Sequence, residues 1–244
     1  MTELLQTIRR GIADVIFPPN CVHCQALVEH SPLRHLCAIC ARKVQIVQAP
    51  YCSTCGHPYY GVVEGERICP HCQSLSPVFR EGRTAVLLKG PARSLVHTLK
   101  YHRGLHVLED MEAIFARSSA LISWVRDAIL VPVPLHARRE RERGYNQSRL
   151  LASSLARAAA GNTRVEEILQ RVVDTVSQTH HDKKTRQANL KNAFALAQGV
   201  AINAAEHYIL IDDVFTTGST LNSCSLVLRR SGCLNLDVVT FGHC

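Results

Sequence analysis

Four Cys-x-x-Cys pairs, Cys21/Cys24, Cys37/Cys40, Cys52/Cys55 and Cys69/Cys72, follow one another with 12, 11 and 13 residues between them. Two thiolates held two residues apart by a tight turn bind one metal, and two such turns close a tetrahedral four-thiolate site of structural type. The eight thiols therefore predict two structural zinc sites. A catalytic zinc would keep a position for water, which four thiolates do not leave. Spacing leaves open whether the pairs close in order or interleave. Closure in order, Cys21/Cys24/Cys37/Cys40 on one metal and Cys52/Cys55/Cys69/Cys72 on the other, has the shorter loops and is favoured by loop entropy. His23, His57 and His71 lie in or beside the knuckles; with eight cysteines available they are expected around the metals rather than on them. An iron–sulfur centre would use the same thiolates. A disulfide framework would need an oxidising compartment, and a thioredoxin-like pair would need to open a helix in a βαβ unit, which no pair here does.

The cysteines also divide the chain. Eight of the eleven lie between Cys21 and Cys72, and only Cys224, Cys233 and Cys244 follow. We therefore expect a Cys-rich zinc-binding module over residues 1–80 and a second domain over 81–244. With 46% hydrophobic and 20% charged residues the chain has the composition of a globular protein. No apolar run approaches the roughly 20 residues that span a bilayer. The first 19 residues carry Arg9, Arg10 and Asp14 without a compact apolar stretch or a small-residue cleavage site. A cytoplasmic protein without membrane insertion is the expectation. The net charge of +8 is concentrated. Residues 138–149 hold five arginines against Glu140 and Glu142, and residues 182–191 hold four basic side chains against Asp182. Such runs are either solvated surface or a seat for phosphate or nucleic acid.

After residue 80 the pattern alternates between strand and helix. Strands are expected at Thr84–Leu88, Ala128–Val133, Ile168–Val173, Ala193–Leu196, His207–Ile211 and Leu236–Phe241. Helices are expected at Pro91–Tyr101, Leu105–Ser119, Asn146–Ala160 and Ser219–Ser231. This alternation predicts an α/β fold, a mostly parallel twisted sheet flanked by helices. Ligands of such sheets gather where strand ends meet helix starts. His207–Ile211 feeds such a turn, and the sequence there is Ile211-Asp212-Asp213-Val214-Phe215-Thr216-Thr217-Gly218-Ser219-Thr220. Two adjacent carboxylates match the vicinal hydroxyls of a ribose. Thr216, Thr217, Gly218, Ser219 and Thr220 open a helix, whose N–H groups and dipole favour a phosphate.

This segment resembles the phosphoribosyl-pyrophosphate motif of type I phosphoribosyltransferases, and the whole chain resembles the ComF competence family. The wider resemblance rests on the cysteine knuckles, Leu99-Lys100-Tyr101-His102-Arg103-Gly104, Val131 to His136, Arg143-Gly144-Tyr145-Asn146-Gln147, the run Gln178 to Phe194 and the ribose-phosphate segment. It implies binding of phosphoribosyl pyrophosphate with Mg2+, loss of pyrophosphate from C1 of the ribose and its replacement by a nitrogen nucleophile. By the same resemblance Asp212 and Asp213 take the ribose hydroxyls or the magnesium, and Thr216 to Thr220 the 5-phosphate. Lys100 and Arg103 reach the pyrophosphate or the incoming group, and Lys183, Lys184 and Arg186 belong to a closing loop. The strand end at Pro134 and the arginines Arg138, Arg139, Arg141 and Arg143 face the pyrophosphate or coat a helix. Two features depart from the enzymes. Pro132 and Pro134 stand where those enzymes carry small or glycine-rich loops. Thr216 stands where salvage enzymes for 6-oxopurines place an Asp, so hypoxanthine and guanine are not expected as acceptors. The family link implies natural competence and DNA uptake. The alternative to an enzyme is a non-catalytic nucleotide- or single-stranded-DNA-binding module working with DNA-uptake proteins such as a helicase. Aromatic residues, which stack single-stranded bases, accompany the basic ones only at Tyr101 and Tyr145.

Overall fold

The computed structural model of the chain describes residues 19–61, 65, 67–70, 72–73, 75–173 and 193–244. After residue 80 the elements are β1 (Gly82–Leu87), α2 (Gly90–Tyr101), α3 (Leu108–Ala116), α4 (Ser119–Val125), β2 (Ile129–Pro132), α5 (Ala137–Arg143), α6 (Gln147–Ala159), β3 (Arg164–Val165), β4 (Leu169–Arg171), β5 (Phe194–Leu196), β6 (His207–Phe215), α7 (Ser219–Arg230) and β7 (Asn235–His243); α1 (Ala38–Arg42) precedes them. Five strands form one parallel sheet in the order β1-β7-β6-β2-β3. Successive residues of β6 enter opposite cores. Ile209 and Ile211 pack with Leu99 of α2 and Leu151 of α6, whereas Tyr208 and Leu210 pack with Leu221 and Leu228 of α7. Burial on both faces is why these strands read as unbroken apolar runs.

Several boundaries differ from the sequence expectation. The segment expected as one helix from Leu105 to Ser119 is a single 3-10 turn at Leu105–Val107, then α3, then α4. Ser118 leaves helical geometry (φ −97°, ψ 76°), and the chain turns there to bury Leu121 and Val125. The strand expected at Ile168–Val173 is only Leu169–Arg171, and it pairs antiparallel with β5 outside the parallel sheet. Strand β3, two residues long, was too short to register as a pattern. Strand β6 runs to Phe215, so Asp212 and Asp213 lie within the strand rather than in the turn after it.

The cysteine-rich segment is packed onto the sheet from its β1 side. Ile46 bridges Val86 antiparallel, Val47 N donates to Ala85 O at 2.9 Å and Leu87 N to Gln45 O at 3.0 Å, while Gly82 N reaches Ser53 O at 2.7 Å. An exposed sheet edge invites pairing with another chain, and these bonds cover this one. Cys21, Cys37 and Cys40 join the apolar core under α2, α3 and α6, whereas Cys52, Cys55, Cys69 and Cys72 join the core under α7. Asp110 on α3, buried, accepts from Arg34 N at 2.8 Å and His35 N at 2.9 Å and ties the first cluster down.

Candidate functional site

At the carboxyl ends of β2 and β6 the structure gathers Asp212, Asp213, Lys100 and Ser148. Lys100 Nζ lies 2.8 Å from Asp213 Oδ1, and the Asp213 side chain is only 6% exposed. Its other oxygen, Oδ2, is buried without a hydrogen-bond partner among the described residues. Asp212 Oδ1 accepts from Ser148 Oγ at 2.9 Å and from Asp213 N at 2.9 Å. Burial and the neighbouring Asp213 charge push the Asp212 carboxyl up to about 7, against Lys100, the Asp213 N–H and the Ser148 hydroxyl, which favour its ionised form. Burial alone would lower the Lys100 ammonium, but the charge and hydrogen bond of Asp213, with Asp212 beyond, raise it above its ordinary value. Lys100, expected on the pyrophosphate side, thus holds a carboxylate of the motif itself.

The loop after β6 leads directly into α7. Gly218 is its N-cap in left-handed geometry (φ 71°) and supplies no side chain to occupy the first-turn N–H groups. A Cβ there would lie 2.7 Å from Phe215 Cζ and 2.8 Å from Leu75 Cδ2, so only glycine fits. Thr217 Oγ1 and Ser219 Oγ are 3.0 Å apart, Thr216 is exposed, and Thr217 and Thr220 are half-buried. Ser219 N makes a long bond of 3.4 Å to Thr217 Oγ1; helix N–H groups beside hydroxyls can receive a phosphate.

A second stretch fastens the site together. Gly144 ends α5 in left-handed geometry (φ 90°). Tyr145 then donates its hydroxyl to Leu99 O of α2, one residue from Lys100. Asn146 donates to Val133 O at 3.1 Å, just beyond β2, and caps α6 by accepting from Ser148 N at 3.0 Å. Arg143 bonds Gln147 in the next turn. The sequence places Asn146 at the start of an expected helix, but nothing in it marks Ser148, whose hydroxyl meets Asp212 because α6 lies against β6.

Beside Lys100 is an open cleft of about 310 Å³ lined by Lys100, Tyr101, Arg103, Arg138, Arg139, Glu142 and Arg143. Arg103 donates to Glu142 O at 3.4 Å, and Arg138 lies 3.7 Å from the Glu142 carboxylate. The arginines of α5 therefore both coat a helix, which buries none of its residues, and wall a cationic cleft. Pro134 lies in the β2–α5 loop, where Val133 N donates to Ile211 O at 2.9 Å and continues the pairing with β6. Lys183, Lys184 and Arg186 lie outside the described residues.

The cysteines close in order. The sulfurs of Cys21, Cys24, Cys37 and Cys40 lie within 4.8 Å of one another, as do those of Cys52, Cys55, Cys69 and Cys72. All but Cys24 are buried. Four thiolates this close repel, and Cys52 and Cys72 beside it drive the Cys55 thiol far above its ordinary range. A cation removes that repulsion, and an all-thiolate tetrahedral set suits zinc. Both clusters fit structural zinc sites.

Comparison with known proteins gives a family model, relatives and solved structures. A family model for the double zinc ribbon domain matches residues 12–73. Competence protein F of Haemophilus influenzae is 32% identical over 231 residues, covering 90% of this chain and 94% of its own. The DNA utilization protein YhgH of Salmonella typhimurium is 32% identical over 212 residues, covering 83% and 88% respectively. Among solved structures, a hypoxanthine phosphoribosyltransferase of Staphylococcus aureus is 16% identical over 55% of this chain and 62% of its own, with a TM-score of 0.37. Near-complete coverage of relatives at this identity, with a zinc ribbon matched at the cysteine clusters, means that the chain belongs to the ComF competence protein family.

Proposed function

We propose that the chain binds phosphoribosyl pyrophosphate with Mg2+ and acts as a phosphoribosyltransferase, in the setting of competence and DNA utilization that its relatives' names state. The observation that carries this reading is Asp213 Oδ2, buried and, among the described residues, unpartnered, two strand residues before a loop that opens a helix at Gly218. A buried carboxylate oxygen without a donor costs free energy unless a ligand supplies one. The ribose hydroxyls would supply it, or a hard cation, for which carboxylate oxygens are the ordinary ligands. Asp212 and Asp213 would hold that Mg2+, and its charge would neutralise the pyrophosphate as it leaves.

The remaining chemistry falls to the chain's own residues. The C1–O bond to pyrophosphate breaks, a C1–N bond forms, and negative charge moves to the leaving group. Lys100, Arg103 and Arg143 on the neighbouring cleft stabilise that charge, which matters more here than a strong base. Gly218 and Ser219 hold the 5-phosphate. The test is calorimetric titration of phosphoribosyl pyrophosphate with Mg2+ into the wild type and an Asp212→Asn/Asp213→Asn variant. The wild type is expected to bind and the double variant to lose binding; absence of binding by both sinks the enzyme reading.

One observation favours a second reading. Tyr101, 66% exposed, lines the same cleft as Lys100, Arg103, Arg138, Arg139 and Arg143. A stacking ring amid cations is the composition of a single-strand binding surface. Affinity for oligodeoxynucleotides that falls steeply with salt, and is lost on Arg138→Glu/Arg139→Glu, would favour this non-catalytic module.

A further inference from the structure

The second cysteine cluster reaches the loop before α7 through the side chain of Leu75. Leu75 N donates to Cys72 O at 3.0 Å, so Leu75 continues the turn of the last knuckle. It is buried in the apolar cluster that holds Cys52, Cys55, Cys69, Cys72, Phe215 and Leu221. Its Cδ2 lies 2.8 Å from the Cβ position of Gly218, so the loop backbone rests on Leu75 and Phe215 together. Three residues on, Val78 N donates to Asn222 Oδ1 at 2.9 Å, and Val78 O accepts from Arg229 Nε at 2.8 Å. The segment from Leu75 to Val78 therefore clasps α7 near both ends, and supports the backbone of the cap at its start. The first cluster packs on the other face of the sheet.

We propose that Leu75 is a positioning residue for the ribose-phosphate loop, through which the metal-bound state of the Cys52/Cys55/Cys69/Cys72 cluster sets the loop's affinity for its phosphate. The inference rests on the reading that this loop binds phosphoribosyl pyrophosphate. A binding constellation works only when its groups are held to within about 0.5 Å. Gly218 is the most permissive backbone in the loop, and Leu75 restricts it from below. Removing that side chain leaves a void into which the cap can relax, and the N–H groups lose their aim. A loosened knuckle would act the same way, because Leu75 is bonded to it.

The test titrates phosphoribosyl pyrophosphate with Mg2+ into wild type, Leu75→Ala, Leu75→Met and Leu33→Ala, with zinc content and circular dichroism measured on each. Leu33, 3% exposed, packs in the core beside the first cluster and controls for loss of a buried leucine. Leu75→Ala is expected to bind about tenfold more weakly with wild-type zinc content, a change of about 1.4 kcal/mol. Leu75→Met is expected to restore most of the affinity, and Leu33→Ala to leave it unchanged. Should Leu75→Ala lose zinc or fold, Asn222→Ala, which removes the bond from Val78 N to the start of α7 without touching the knuckle, is expected to weaken binding instead. Unchanged affinity in the folded variant, or an equal loss in Leu33→Ala, overturns the inference while leaving the loop's function intact. Failure of the wild type to bind removes that function and the inference with it.

Discussion

Two adjacent aspartates and one lysine set the energetics of the site. Asp213 has Lys100 at 2.8 Å; among the described residues Asp212 has no such cation in contact, and it is pushed up to about 7 by burial and by Asp213. A carboxyl whose folded pKa lies above its ordinary value of 3.8 holds its proton longer in the native state than in the unfolded chain. Stability from this group is therefore undiminished below about pH 4, declines as pH rises towards 7 and stays reduced above it. Asp212→Asn keeps an oxygen to accept from Ser148 Oγ and Asp213 N and removes the repulsion. It should stabilise the protein at pH 8, by about 2–4 °C in melting temperature per kcal/mol recovered, with little gain at pH 4.5, while abolishing ligand binding. Melting curves at the two pH values decide it, and a lower melting temperature at pH 8 would contradict the electrostatic account. Under the proposed function, the charge that costs stability here is the one that meets the ligand.

At the scale of elements, the stretch from Arg143 to Ser148 joins α2, β2 and α6 around the aspartates. Asn146 does two jobs, capping α6 and donating to Val133 O. Asn146→Ala should cost about 1 kcal/mol for the cap and about 1–3 kcal/mol more for the buried carbonyl left unmet. Asn146→Asp keeps the cap and loses only the donor, so its denaturation midpoint should fall between wild type and alanine. Equal midpoints for the two variants would place all the cost in the lost donor to Val133 O. Here the limits of sequence reading have a physical origin. The helix starting near Asn146 was legible because capping and periodicity are local, and β6 was legible as an apolar run. The length of β6 was not, because Asp212 and Asp213 break the apolar pattern while the strand goes on pairing with β7 at Asp212, Val214 and Phe215. The break at Ser118 was missed because Leu105 to Phe115 keeps helical spacing up to it. Ser148 and Leu75 were missed for a further reason: each touches the site from an element distant in sequence, and their spacing carries no trace of that contact.

At the scale of the whole molecule, the two cysteine clusters are built into the sheet's two cores, one on each face. The pairing of knuckles in order was the one long-range feature that loop entropy alone favoured, and the sulfur positions agree with it. The segment between the clusters bonds to β1 at Gln45 and Val47, and Ser53 of the second cluster bonds to it at Gly82, so loss of metal would act on three places together: both faces and the edge. Structural zinc contributes about 10–16 kcal/mol in small zinc-binding peptides, against a total domain stability of about 5–15 kcal/mol. Stripping the metal with a strong chelator should therefore unfold α7 and the parallel sheet along with the knuckles, in one transition that coincides with zinc release. Exposure of β1 should then appear as aggregation, since an uncovered strand edge pairs with other chains. Parallel records of zinc release, far-ultraviolet circular dichroism and light scattering test this. If helix and sheet signal survives complete removal of both metals, the clusters are appendages and the sheet stands without them. If the three signals move together, the metal sites are part of the fold that presents Asp212, Asp213 and the phosphate loop.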